Sequence, residues 1–154
     1  MTAFARYWLP PLLWMTLIWG LSSDIGSADT TSGLFGWLMS QLFPWATPAQ
    51  IRFAHDLVRK LGHLTEYAIL AALWFRAFHV GRGLSSPSSA WTALAISIGW
   101  AIADELHQAF VPSRTASPVD VLLDATGATL STLAAHALTT LKRPLPHPSP
   151  RASK

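Results

Sequence analysis

Residues 104 to 120 read DELHQAFVPSRTASPVD, with three carboxylates, a histidine, a glutamine and an arginine in 17 positions. A second cluster, HLTEY, runs from His63 to Tyr67. Residues three or four apart on a helix are neighbours, so His63, Glu66 and Tyr67 share a face. The same spacing joins Glu105 to Gln108, Asp104 to both His107 and Gln108, and Asp120 to Asp124. These groups carry oxygen and nitrogen ligands for a divalent ion, and an acid or base for hydrolysis at a phosphate. They also carry carboxylates of the kind that relay protons inside membranes. Arg59 and Arg114 add guanidinium groups suited to phosphate. The same groups can equally satisfy one another. Arg114 could pair with Glu105 or Asp120 and hold the turn shut, and Asp120 could be a helix cap. Asp104 points away from Glu105 around the helix, toward the headgroups. His107 reads as interfacial, and His55 and His136 read as ordinary, His136 bonding to a neighbouring helix.

The elements that must carry these groups are apolar helices. Only 12% of the 154 residues are charged and 51% are hydrophobic, with 8 Trp. Soluble domains carry about 25% charged residues. The eleven Lys and Arg are scattered, so no basic face for nucleic acid forms. The absence of cysteine excludes disulfides and thiol chemistry. The chain is long enough for four membrane helices of about 20 residues each. The first covers Tyr7 to Ser23, a retained helix rather than a cleaved signal peptide, because Trp8, Trp14 and Trp19 make the run broad and interface-anchored. The second covers Arg59 to Val80, the third Ser89 to Phe110 with Ser88 or Ser89 as cap, and the fourth Pro118 to Leu141. Residues 33–51 are uncharged but carry Gly33, Gly36, Pro44 and Pro48, and an interfacial helix or shallow re-entrant piece is expected there rather than a full crossing. Ser117, Pro118 and Asp120 suggest a capping-box start to the fourth helix. The tail, residues 142–154, is rich in Pro and basic residues and is expected to be disordered.

The fold class expected is therefore an all-α polytopic membrane domain over residues 1–141. With four spans, Arg6, Arg76, Arg82, Lys142, Arg143, Arg151 and Lys154 share one side, against Arg52, Arg59, Lys60 and Arg114 on the other. The larger set should be cytoplasmic, with both termini. His63, Glu66 and Tyr67, then Asp104, Glu105, His107 and Gln108, then Asp120 and Asp124 come to one depth near the outer surface. Counting back by fours from Glu105 gives Ala101, Ser97 and Ala93, and Asp120, Asp124, Gly127, Ser131 and Ala135 form a second stripe. Small-residue ridges suit close helix packing. A carboxylate facing lipid at mid-depth costs about 3 kcal/mol, so Glu66, Asp104, Glu105 and Asp124 should face inward or line a mouth.

HLTEYAILAAL (His63 to Leu73) and ELHQAFVPSRTASPVDVLLDATGA (Glu105 to Ala128) resemble the VanZ-like membrane proteins. That family's pattern has His and Tyr four apart, matched by His63 and Tyr67, and Glu-x-x-Gln, matched by Glu105 and Gln108. It continues with an Arg in the turn, matched by Arg114, and Asp-x-x-x-Asn before a Gly, matched by Asp120 and Gly127. Two positions depart: Asp124 stands where Asn is usual, and Arg59-Lys60 stand where Asp-Lys is common. The resemblance implies an integral protein of the bacterial inner membrane, related to the cell envelope. Its namesake is associated with low-level teicoplanin resistance, a role the resemblance does not extend to this chain. Four readings stay open. The outward cluster binds a membrane lipid or a lipid-linked envelope precursor; it is a metal-dependent hydrolase of a phosphorylated lipid; the protein is a small transporter or proton-coupled channel; or the cluster only locks helix ends together. Binding is expected ahead of catalysis. No cofactor is expected, and no compact metal motif is present.

Overall fold

A computed structural model describes residues 2–23 and 27–142, and among them every regular element is helical. The first apolar run divides into α1 (Ala3–Tyr7) and α2 (Leu9–Leu21). Pro10 and Pro11 lack the amide donors that would continue a single helix across Trp8. Next come α3 (Ala28–Leu42) and α4 (Pro48–Arg76), which runs on as a π-helical turn (Ala77–Gly81). The chain ends in α5 (Ser86–Gln108) and α6 (Pro118–Leu141). Asp24 and residues 143–154, nearly all of the tail expected to be disordered, lie outside the described residues.

Two helix starts correct the sequence reading. α4 begins eleven residues before the expected Arg59, because Thr47 closes a capping box with Gln50 and Pro48 occupies the first turn. The Thr47 side chain accepts from the Gln50 amide at 3.3 Å, and Gln50 Oε1 accepts the Thr47 amide at 2.8 Å. The segment 33–51 is thus no single interfacial piece. It forms most of α3, a turn and the first residues of α4. Ser85, not Ser88 or Ser89, caps α5, accepting from the Ser88 amide. Thr47→Ala is expected to lose about 1 kcal/mol of helix stability. Amide exchange at Gln50 and Ile51 should quicken about fivefold while α5 and α6 keep their protection.

α4, α5 and α6 pack against one another, with the largest interface between α4 and α6. α2 lies against α4 and α5, and α3 packs on α4. The expected small-residue ridge is the packed face of α5: Ser89, Ala93, Ser97 and Ala101 are fully buried. On α6 the buried residues are Asp124, Gly127, Ala128 and Thr132, so the stripe turns slightly from the one expected through Ser131 and Ala135. The outside is apolar, with Leu13, Trp91, Leu106, Phe110, Leu122 and Leu133 all well exposed.

Among the described residues α6 is the one helix long and apolar enough to cross a membrane by length and composition, and α2 is apolar but shorter. Arg52, Asp56, Arg59, Lys60, His63 and Glu66 dilute the first half of α4, and serines dilute the start of α5.

Candidate functional site

The end of α2, the middle of α4, the end of α5 and the start of α6 meet at one end of the bundle. α2 is fastened there by Trp14, whose Nε1 donates to the Glu66 carbonyl at 2.9 Å. Ser22, just past the end of α2, donates to Asp104 Oδ2 at 2.7 Å. The same oxygen accepts from Gln108 Nε2 at 3.2 Å, one helical turn on. Asp104 is therefore only 1% exposed. Of the two orientations expected for Asp104, toward the headgroups or inward, it takes the second, because the serine of a neighbouring helix draws it inward.

Glu105 occupies the packed face, as its spacing from Ala101 and Ser97 requires, and it is buried. Its Oε1 accepts the backbone amide of Ser117, the N-cap residue of α6. The Ser117 side chain makes no capping bond, so the expected capping box is absent. A carboxylate from α5 satisfies the α6 terminus in its place. Anionic groups are stabilised there by the helix dipole. Asp120 sits in the first turn of α6, half-buried, with its backbone amide on the Ser117 carbonyl at 2.9 Å.

Arg114 reaches back from the α5–α6 turn to α2. Its Nε donates to the Ser23 carbonyl at 3.2 Å, and a terminal nitrogen donates to the Leu21 carbonyl. The two charged groups considered as a pair, Arg114 and Glu105, are thus each found on backbone partners at helix ends.

Deeper in, His63 Nδ1 lies 3.2 Å from Asp124 Oδ1, with the carboxylate 1% exposed. The approach is ionic in distance but lacks the alignment of a hydrogen bond. The Tyr67 hydroxyl, the second oxygen of Asp104 and Asp124 Oδ1 are all buried without a hydrogen-bond partner among the described residues. His107 stacks on Trp19 with ring centres 4.1 Å apart, as an interfacial aromatic pair would. His55 meets Thr31 Oγ1 at 3.1 Å, and His136 meets Ser86 Oγ on α5 at 2.8 Å; both are accounted for structurally.

Beside this locked group opens a cleft of about 150 Å³, lined by Leu21, Ser22, Arg59, Gly62, His63, Glu66, Gln108 and Arg114. Glu66 is half-buried, and its carboxylate makes no hydrogen bond or ion pair among the described residues. Of the eight residues expected at the site, His63, Glu66, Gln108 and Arg114 line the cleft. Tyr67, Glu105 and Asp124 lie buried in the bundle. Sequence reasoning missed Ser22 and Gly62. The serine pair after GL at the end of the first apolar run marks a helix end, but carries no sign of a partner 82 residues away. No group of three or more His, Asp or Glu residues with metal-holding geometry occurs among the described residues.

No curated protein and no solved structure gives a match to this chain. The model of the VanZ/LLP1 family matches residues 7–139, from the start of the first apolar run almost to the end of α6. That span holds every residue of the cleft and of the locked group, and the chain belongs to the VanZ/LLP1 family.

Proposed function

We propose that this is a four-span protein of the bacterial inner membrane, with both termini cytoplasmic, whose outward cleft binds the phosphate-bearing headgroup of a lipid or lipid-linked envelope precursor. α2, α4, α5 and α6 are the spans. The inside-out distribution of polarity supports a lipid surrounding: carboxylates, serines and Gln108 are buried, while leucines, Trp91 and Phe110 face outward. α4 alone is about 43 Å long at 1.5 Å per residue. It exceeds a hydrocarbon core of about 30 Å, so its first turns and α3 lie beyond the core. Trp37, Phe43 and Trp45 are exposed on that hairpin, as interfacial anchoring favours.

The observation that carries the binding role is the cleft itself. Asp104, Glu105 and Arg114 are engaged in ties between helices. Arg59, His63 and Glu66 line an opening next to those ties. Arg59 and Glu66 line the opening without taking part in those ties, whereas Ser22, Gln108 and Arg114 do both. Native mass spectrometry of the detergent-purified protein tests the reading. The wild type should retain a phospholipid through gentle desolvation, and Arg59→Ala should retain at least about fivefold less, the 1 kcal/mol or more that a charge-assisted hydrogen bond contributes. Equal retention by both proteins would remove the headgroup role and leave the locked group as the whole purpose of the cluster.

A further inference from the structure

The charges and size of the cleft narrow its ligand, on the reading that it binds a phosphate-bearing headgroup. We infer that it takes a small zwitterionic headgroup, a phosphodiester beside a primary ammonium, and not a sugar or sugar–peptide group. The first argument is volume. The cleft offers about 150 Å³, and a water needs about 10–15 Å³ of such space, so several small polar groups fit. A phosphate with a two-carbon amine fits within that space.

The second argument is charge. Arg59 and Glu66 lie seven residues apart, two turns along the same face of α4, with Gly62 and His63 between them. Their backbone positions are thus about 10 Å apart along the helix. Two long side chains converging from that separation meet a phosphate at one end and an ammonium a few ångströms away at the other. Gly62 leaves the floor between them open, since a Cβ there would meet nothing within 4 Å.

The third argument is the state of Glu66. The buried carboxylates of Asp104 and Glu105 are held by Ser22, Gln108 and the Ser117 amide. Glu66 lines the cleft without a partner among the described residues. A half-buried carboxylate gains from an ammonium with three donors. It gains less from the hydroxyls of a glycerol or a sugar.

The test uses the full-length protein in detergent, titrated with three short-chain lipids: phosphatidylethanolamine, phosphatidylglycerol and a lipid bearing a phosphorylated disaccharide. Retention is read by native mass spectrometry. The expected result is phosphatidylethanolamine held about tenfold better than either of the others. Glu66→Gln and Glu66→Ala should bring the two lipids to about equal retention, and Arg59→Ala should weaken both. A melting curve for each variant separates loss of binding from loss of fold, and the two Glu66 variants guard against one failing to fold. Equal retention of phosphatidylethanolamine and phosphatidylglycerol, preference for the sugar lipid, or indifference to both Glu66 variants would overturn the zwitterionic assignment, with the Arg59-dependent headgroup role still standing. Retention of no lipid beyond the Arg59→Ala level would remove the headgroup role itself.

Discussion

Gly127→Ala should unfold the packed end of the bundle. A Cβ on Gly127 would overlap the Leu64 carbonyl oxygen and lie 3.0 Å from its carbon and 3.2 Å from the Leu64 Cα. All three are backbone atoms of α4, so no rotamer change relieves the contact. The two helices must move apart at their largest interface. Overpacking in a well-packed core typically destabilises by about 1–3 kcal/mol, and a clash with rigid backbone belongs at or above the top of that range. Separation would also draw Asp124 away from His63, their 3.2 Å approach spanning the same interface. A fall of roughly 10 °C in the detergent melting temperature is expected, taking about 3 °C per kcal/mol for a chain of this size. Gly99→Ala is the control. Nothing lies within 4 Å of a Cβ at Gly99, so alanine there should be neutral or stabilising by up to about 1 kcal/mol, the helix-propensity difference.

Glu105→Ala should rank second and separate locking from binding. Removing the carboxylate leaves the Ser117 amide without its acceptor at the start of α6. An orphaned buried donor costs about 1–3 kcal/mol. Amide exchange at Ser117 should rise about tenfold or more, and the melting temperature should fall. Glu105→Gln keeps an acceptor oxygen and should recover most of the protection. Lipid retention per folded molecule should hold in both variants, because Glu105 does not line the cleft. Loss of retention in a Glu105→Gln protein that melts normally would place Glu105 in the ligand's path instead.

Local chemistry in the sequence foretold more of the helices than of their mutual ties. Pro118 after Ser117 marked the start of α6 at the observed residue, and the ridge through Ala93, Ser97 and Ala101 marked the packed face of α5. Both signals depend on neighbours within one helix. The start of α4 was also legible, in Thr47-Pro48-Ala49-Gln50, although this cap lies well before the apolar run that begins near Arg59. Partners set by docking were not legible. Asp104 turns inward because Ser22 arrives from 82 residues away, and Arg114 finds the α2 carbonyls only once α2 lies in place. Spacing put Glu105 on a buried face. Its use as the cap of another helix follows from the geometry of the turn. Hydropathy alone missed the spans proposed for α4 and α5, because the polar residues that build the cleft and the helix ties lower the average.

Labelling of a single cysteine at Gly62 tests the outward-facing, headgroup-binding cleft most directly. The chain has no cysteine of its own, and Gly62 lines the cleft with room for a side chain. A membrane-impermeant maleimide added to intact spheroplasts should label Gly62→Cys, and in the purified protein a short-chain phosphatidylethanolamine should slow that labelling severalfold. Labelling that needs a permeabilised membrane, or a rate indifferent to the lipid, would contradict the account.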